Sequence, residues 1–301
     1  MTGGIVRREN RPILFYNGMW EEAPSFPPLP IPEPYELTVD RGAMHEAVAV
    51  VFHVPGLPAH LFQRKLKKRR GQLWIAWHME CDAHYPQLGD PDFMSRFDLT
   101  MSYRLNADIA APYVDPILAQ RLRTKPTAKQ EGHLLNAFIS SPHNRSKRFE
   151  LMLQLMSQID VHSYGKVLHN RQLPNDLGFE TKLDTIRSYK FSLACENAIA
   201  QDYVTEKFFH PLIVGSVPVY LGAPNVEAFA PGENCFINAA DWASPAALAR
   251  HLLEIATDDT AYAGLLDWKA KPFRPEFSRL LEKVQEHPFV RLCKKVDERL
   301  R

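Results

Sequence analysis

Residues 189–222, YKFSLACENAIAQDYVTEKFFHPLIVGSVPVYLG, contain two apolar runs separated by a polar turn and a helical segment. The runs at 191–195 and 217–221 have the length and composition of buried strands. The segment 205–214 has helical character, and Asp202 or Thr205 can cap its start. A strand, a helix and a second strand in this order predict a parallel β–α–β unit.

The same alternation extends outward from this stretch through the whole chain. A further helix is predicted from Pro245 to Ile255, with Ser244 as its cap. Strands that alternate with helices predict an α/β fold with parallel, doubly wound sheets, and two series of strands predict two sheets. The first series comprises 13–16, 47–52, 73–77 and 99–103, and the second comprises 134–139, 161–164, 191–195, 217–221 and 235–238.

A polar stretch at 119–132 separates the two series and is predicted to be a linker. The sequence therefore predicts one domain over 1–118 and a second over 133–278. The last segment, 279–301, is predicted to be helical and to pack back toward the first domain. Residues 24–34 hold six prolines, which favour an extended surface connection over a polyproline ligand for another protein.

The composition excludes several classes of protein. Hydrophobic residues make up 45% and charged residues 24% of 301 residues, as in globular proteins with a sizeable core. The net charge of +1 argues against a wholesale polyanion binder. No apolar run approaches the roughly 20 residues of a membrane span, and the polar residues 1–10 do not resemble a signal peptide. Four widely spaced cysteines favour a reducing compartment.

Residues Arg64–Arg70 carry six cations in seven residues. The favoured interpretation is a solvated helix end just before the strand that begins at Leu73, and peripheral contact with an anionic membrane is the second interpretation. Aromatic residues do not alternate with these cations, so the run does not indicate a partner nucleic acid.

Polar residues in 189–222 indicate a candidate ligand site. Glu196 and Asn197 directly follow a strand, and open parallel sheets bind ligands at that edge. The start of the next helix presents backbone N–H groups that favour a phosphate. Lys207 is unfavourable in a first helical turn unless an anion lies there, and Glu206 can accept two hydrogen bonds from a ribose. These residues predict a nucleotide diphosphate site. The alternative is that Glu206 and Lys207 are exposed charges in a first helical turn and that Asn197 is a turn residue.

The segment closely resembles the donor-binding motif of the α-1,3/1,4-fucosyltransferases, glycosyltransferase family 10. That motif combines YKF-x-L-x-FEN-S, DY-[IV]-TEK and G-[ST]-VPV-x-LG. Similar blocks cover most of the chain in the family's order, including the family's WxxxESP at 74–82 and MSYR with DI and PY at 101–113. The matching letters are YKF at 189–191, EN at 196–197, DYVTEK at 202–207, GSVPV at 215–219, LG at 221–222, Ser140 with Arg148, and Tyr164 with Gly165.

The resemblance implies a GT-B fold, with two Rossmann-like domains facing a cleft. It implies inverting transfer of L-fucose from GDP-fucose, held mostly by the C-terminal domain, to a glycan acceptor, usually at the 3-hydroxyl of N-acetylglucosamine or glucose. No cofactor or divalent metal is implied. The implied site comprises Glu80 as general base, Lys207 and Arg148 at the diphosphate, Glu206 at the ribose, Asn197 and Tyr203 at the nucleotide sugar, and Lys190, Glu196 and Val204 elsewhere in the donor-binding motif.

The chain departs from the family pattern at several positions. Cys81 and Asp82 replace the SP that follows the catalytic glutamate, and Ser141 replaces an asparagine. Pro211 is predicted to kink the helix after Lys207. Arg145 is a second candidate for the phosphate arginine, three residues out of register.

No membrane anchor of the Golgi type is predicted, so the resemblance implies a cytoplasmic enzyme, peripheral to the inner membrane, or an excised catalytic domain. It implies a part in oligosaccharide or lipopolysaccharide biosynthesis. Three alternatives stay open at this point. They are a transferase for another GDP-sugar, an inactive protein that binds a nucleotide sugar or glycan, and a scaffold that uses the proline-rich and basic segments.

Overall fold

A computed structural model describes residues 10–19, 22, 24–57, 66–173 and 175–301. The chain divides into two compact units. The first takes the chain to Ala111 together with Glu286–Arg301, and the second is Pro112–Gln285. The division falls before the predicted linker 119–132, which lies within the second unit. There Lys129 Nζ donates to the carbonyl of Arg187 at 2.9 Å. That the first domain is the acceptor side and the second binds GDP-fucose stays a prediction.

The first unit contains a parallel sheet that, among the described residues, has six strands. Their order is β2-β1-β3-β4-β5-β6. The short strands β2 and β6 were not among the predicted runs. The strands are β1 (Arg11–Phe15), β2 (Tyr35–Thr38), β3 (Ala49–His53), β4 (Leu73–His78), β5 (Leu99–Ser102) and β6 (Ile109–Ala110).

The second unit contains a parallel sheet of five strands within the described part of the chain, in the order β11-β10-β9-β7-β8. Its two central neighbours, β9 and β10, lie where the sequence predicts them. The predicted run at 235–238 forms a strand only over its last two residues. The strands are β7 (Leu135–Ala137), β8 (Val161–Ser163), β9 (Phe191–Cys195), β10 (Val217–Leu221) and β11 (Ile237–Asn238).

Helices connect most of the strands of both units. The α-helices are α1 (Pro91–Met94), α2 (Pro116–Arg121), α3 (Arg148–Met156), α4 (Phe179–Arg187), α5 (Glu206–Val214), α6 (Pro245–Thr257), α7 (Asp259–Gly264), α8 (Pro275–Lys283) and α9 (Pro288–Leu300). Short 3-10 helices lie at Arg41–His45, Val54–Gly56, Asp82–His84, Pro86–Gly89, Val226–Phe229, Ala239–Asp241 and Asp267–Ala270.

The first sheet is apolar on both faces because alternate side chains of a strand point to opposite sides. Ile13 and Phe15 of β1 lie in one apolar cluster, whereas Leu14 between them lies in another. Helix α9 covers the first face through residues that include Phe289 and Leu292. Burial on both sides explains why these strands read as continuous apolar runs.

The end of the chain forms two helices rather than one. The predicted helical segment 279–301 is divided between α8, in the second unit, and α9, in the first. Pro288 begins α9, and proline is favoured in a first helical turn but cannot continue the preceding helix. Val284 closes α8 with non-helical backbone.

The proline-rich segment 24–34 connects β1 to β2. Its apolar residues Phe26, Leu29 and Ile31 pack against the core of the first unit, which agrees with a surface connection. Of the basic run, residues 64 and 65 lie outside the described residues. Lys68 forms an ion pair with Asp98, and contact of the run with a membrane stays a prediction, as does a cytoplasmic location.

Within the described residues, no helix has both the length and the apolar character that crossing a membrane requires. Cys81, Cys195, Cys235 and Cys293 are buried free thiols.

Candidate nucleotide-binding site

The strand order of the second sheet places a crevice at the carboxyl ends of β7 and β9. The chain runs outward from β7 to β8 and then returns to the other side of β7 as β9. Parallel sheets of this order bind ligands where the direction reverses, outside the carboxyl ends of the strands. Glu196 and Asn197 follow β9 directly, and α5 begins a few residues later. Glu196 and Asn197 therefore lie at the carboxyl edge of a parallel sheet, as the sequence predicts.

Glu196 is a fully buried carboxylate that organises the start of α5. Its Oε1 accepts from the backbone N–H of Thr205 at 2.7 Å, and its Oε2 accepts from the Thr205 hydroxyl at 2.9 Å. Burial raises the pKa of Glu196, and the nearby Lys207 ammonium opposes this rise without cancelling it. The residue thus couples the end of β9 to the helix start.

Thr205 is the N-cap of α5, as one of the two sequence alternatives had it. Its Oγ1 accepts from the backbone N–H of Lys207 at 3.4 Å. Asp202 instead has a left-handed backbone, with φ of 62°, and accepts from the side-chain amide of Asn225. Helix α5 continues through Pro211 to Val214.

Lys207 and Glu206 form a charged cluster at this helix start. The amine of Lys207 lies 3.0 Å from Glu206 Oε1 and 3.5 Å from Glu196 Oε2, so the protein itself supplies part of the negative charge that the sequence predicted here. Burial lowers the pKa of Lys207, but the two carboxylates outweigh it and hold that pKa above its usual range. The Glu206 side chain is 38% exposed and can still accept hydrogen bonds from a ligand.

Lys182 on α4 is a further member of the cluster that sequence reasoning missed. Burial raises the pKa of Glu206, but the Lys207 and Lys182 ammonium groups outweigh it and lower that pKa to about 2. Lys182 also lines a small cavity with Lys207 and His210. This proximity arises from the packing of α4 on α5, so the local sequence around residue 182 does not predict it.

Arg148 lies at the same crevice but is enclosed by protein. Its side chain is almost fully buried. The guanidinium donates to the carbonyls of Ser141 and His143 at 2.9 Å and to that of Cys195 at 3.3 Å. The residue thereby ties the loop after β7 to the end of β9. Its role at a diphosphate stays a prediction, and Arg145, the second candidate, is exposed.

The remaining predicted residues differ in their placement. Asn197 is buried, and among the described residues its Oδ1 has no hydrogen-bond partner. The side chains of Tyr203 and Val204 are buried. Lys190 precedes β9, so it lies at the opposite edge of the sheet, roughly 17 Å of strand away. There its amine donates to the carbonyl of Ala256, so the structure does not bring Lys190 together with the other predicted site residues.

The first sheet has an equivalent crevice, where its strand order reverses between β1 and β3. Asn17 after β1 and His53 at the end of β3 close it by two hydrogen bonds. The Asn17 amide donates to the His53 carbonyl at 2.8 Å, and the His53 N–H donates to Asn17 Oδ1 at 3.0 Å. Glu80 follows the adjacent strand β4 and is half-buried. The structure therefore places Glu80 at the carboxyl edge that the sequence predicted.

Asp82, the nearest other carboxylate, is already engaged. It forms an ion pair with Arg104 and accepts from the Tyr103 hydroxyl at 3.3 Å. Burial raises the pKa of Asp82, but the Arg104 guanidinium outweighs it and holds that pKa below its usual range. Among the described residues, no three His, Cys, Asp or Glu residues lie together as a metal-binding group, and independence from metal stays a prediction.

Two family models match the chain. One, described as "Glycosyltransferase family 10 (fucosyltransferase) C-term", matches residues 128–301, and the other, "Fucosyltransferase, N-terminal", matches residues 10–114. A 4-galactosyl-N-acetylglucosaminide 3-alpha-L-fucosyltransferase of Gorilla gorilla gorilla is 33% identical over 274 residues, covering 88% of this chain and 72% of the relative.

Other relatives are longer than this chain. A fucosyltransferase-like protein of Arabidopsis thaliana is 33% identical over 230 residues, which are 76% of this chain and 44% of the relative. A GDP-fucose protein O-fucosyltransferase 3 of Canis lupus familiaris is 28% identical over 249 residues, which are 78% of this chain and 52% of the relative. The chain thus spans about half the length of such relatives.

A solved structure shares the fold. The crystal structure of an alpha1,3-fucosyltransferase with GDP superposes with a TM-score of 0.61 at 15% identity, over 99% of this chain and 94% of that one. This likeness confirms the predicted fold class, an α/β fold of the GT-B type.

Proposed function

Since the chain belongs to glycosyltransferase family 10, the fucosyltransferases, we propose that it transfers L-fucose from GDP-fucose to a sugar hydroxyl of a glycan, with inversion at the anomeric carbon. The observation that carries this proposal is the charged helix start after β9. There a buried carboxylate, Glu196, fixes the cap residue Thr205 and the amine of Lys207 at the crevice of a parallel sheet.

The proposed donor site uses groups with distinct tasks. The N–H groups at the start of α5 and the Lys207 amine would bind the diphosphate, since helix starts and ammonium groups both favour anions. Glu206, half-exposed beside Lys207, would accept from the ribose hydroxyls. Asn197 adds a buried Oδ1 that has no partner in the described part of the chain and would accept from the ligand. Arg148 would act chiefly by holding the loop after β7.

The proposed reaction places Glu80 at the acceptor. Its carboxylate takes the proton of the acceptor hydroxyl while that oxygen forms a bond to C1 of fucose. The bond from C1 to the β-phosphate oxygen breaks, and its electron pair leaves with GDP. Lys207 and the helix-start amides stabilise the negative charge that develops on the leaving phosphate. These steps require no bound metal.

For the acceptor, we propose the 3-hydroxyl of N-acetylglucosamine or glucose. The relative from Gorilla gorilla gorilla, named for 3-alpha-L-fucosyl transfer to 4-galactosyl-N-acetylglucosaminide, supports a sugar acceptor. The relative from Canis lupus familiaris is named for a protein acceptor, and a protein hydroxyl is therefore the competing outcome of the test.

The decisive assay incubates the purified chain with GDP-fucose and a panel of acceptors. The panel contains N-acetyllactosamine, lactose, glucose-terminated oligosaccharides and serine- or threonine-containing folded domains. We expect α-linked fucose at the 3-position of the sugars. Transfer only to protein would show that the acceptor is a protein hydroxyl. Transfer from GDP-mannose alone would show that the donor is not GDP-fucose. GDP binding without any transfer would favour an inactive binding protein.

Replacing Lys207 by alanine is expected to weaken GDP binding by about 1.5–3 kcal/mol, the usual range for a charge-assisted hydrogen bond. Isothermal titration calorimetry on the folded variant measures this. Lys271→Ala, an exposed lysine of the same unit, is the matched control and should bind GDP normally. Binding is expected to persist in EDTA. Equal affinity of wild type and Lys207→Ala, or loss of binding on chelation, would contradict the assignment.

A further inference from the structure

The Lys182 ammonium lies beside the proposed ligand site, where it lines a small cavity with Lys207. Among the described residues, it makes no hydrogen bond and no ion pair within 4.0 Å, although burial is sufficient to lower its pKa. The Lys182 Nζ is not among the buried polar atoms that lack a partner, so a ligand can reach it from solvent. A half-buried ammonium beside a proposed ligand site is therefore a candidate for direct contact with the ligand.

The surroundings of Lys182 separate it from the diphosphate-binding groups. Its Nζ lies 5.7 Å from the centre of the Phe138 ring, which stacks on Tyr164 with ring centres 5.1 Å apart. Phe138 and Tyr164 follow β7 and β8, so they lie on the far side of the crevice from β10. An aromatic wall next to an ammonium suits a flat heteroaromatic ring better than a phosphate.

The order of groups matches the order of parts in a nucleotide. Lys207 and the helix start would hold the phosphates, and Glu206 would hold the ribose. Lys182 lines one small cavity with Lys207 and Phe138, and its positive charge helps to lower the pKa of Glu206. In a nucleoside the base is bonded to the ribose, so the group beyond the ribose-binding carboxylate is positioned for the base.

We propose that Lys182 recognises the guanine base of the donor, its ammonium donating to O6 and N7 along the edge of a base that lies against Phe138. This proposal rests on the proposed use of a GDP-sugar. Guanine presents two acceptors, O6 and N7, on that edge, and lysine is a common partner for them. Adenine presents an amino donor in place of O6, which would face the ammonium unfavourably. The flexible lysine stem lets the amine move from the ring face to the base edge.

The test compares GDP, ADP and inorganic pyrophosphate on wild type, Lys182→Met and Lys182→Arg by calorimetry. Lys182→Met should weaken GDP binding about 10- to 100-fold, the range that corresponds to losing one hydrogen bond from a charged group. The same substitution should leave the affinity for pyrophosphate unchanged and reduce the ratio of GDP affinity to ADP affinity. Lys182→Arg should keep most of that preference. Lys271→Met serves as the exposed-lysine control.

The outcomes separate this proposal from its premise. Failure of the wild type to bind GDP would overturn the proposed donor and leave nothing for Lys182 to recognise. A second outcome is that wild type binds GDP normally and Lys182→Met loses affinity for GDP, ADP and pyrophosphate equally. This result would assign Lys182 to the phosphates and overturn base recognition. Unchanged GDP affinity in a folded Lys182→Met variant would overturn it as well, and thermal melting of each variant identifies misfolding.

Discussion

Glu80→Gln is expected to slow fucose transfer by about 10²–10⁴-fold, the usual contribution of a positioned general base. Glutamine keeps the size of the side chain and cannot take up the proton of the acceptor hydroxyl. GDP affinity should hardly change, because the groups proposed to hold GDP belong to the other unit of the chain. Turnover, GDP affinity and melting temperature measured on the one variant therefore report chemistry, donor binding and folding separately.

Asp82→Asn is the control in the same loop. Asp82 is paired with Arg104 and accepts from Tyr103, and its lowered pKa makes it a weak base. We expect this variant to lose stability while transfer per folded molecule stays near normal. Near-normal turnover in a well-folded Glu80→Gln protein would refute the catalytic role of Glu80, and slow turnover in a stable Asp82→Asn protein would transfer that role to Asp82.

The sequence predicts the long central strands well because burial on both faces makes them continuous apolar runs. It does not predict β2 or β6, whose four and two residues are too short for a pattern to stand out from the surrounding loops. It predicts one helix at 279–301, because the apolar spacing continues across Pro288. The break there depends on which unit each half packs against.

At the candidate site, the residues found by motif are those close together along the chain. Glu196, Thr205, Glu206 and Lys207 come from one segment, so the family motif contains all four, although their spacing alone left exposed charges as the alternative. Lys182 comes from another helix and carries no local signal, whereas Lys190 belongs to the motif but points to the opposite end of β9. A motif groups residues that are close in sequence. The charges that interact at the site also include one brought in by the packing of α4 on α5.

Arg148 shows the same limit in a different way. Its place in the motif predicts a cation at the diphosphate, which stays a prediction, and does not predict that three backbone carbonyls accept from its guanidinium. Sequence gives the charge of a side chain and not its partners. The loop before α3 supplies two of these carbonyls, so its conformation determines what the guanidinium contacts.

Glu196→Ala is expected to lower the free energy of unfolding by about 3–5 kcal/mol, the range found when one partner of a buried ion pair is removed. The carboxylate is fully buried and accepts two hydrogen bonds from Thr205, with the Lys207 amine 3.5 Å away. Alanine leaves these donors without their acceptor and creates a void. Urea denaturation followed by far-UV circular dichroism measures the change.

Glu196→Gln separates the buried charge from the hydrogen bonds. The amide oxygen can still accept from the Thr205 N–H, so the loss should be smaller, about 1–3 kcal/mol. GDP affinity should fall in both variants, since the Thr205 cap and the Lys207 amine lose the group that positions them. Glu254→Ala, an exposed glutamate on α6, should change neither quantity. If Glu196→Ala were as stable as wild type and bound GDP equally well, Glu196 would not organise the helix start, and the proposed donor site would lose its foundation.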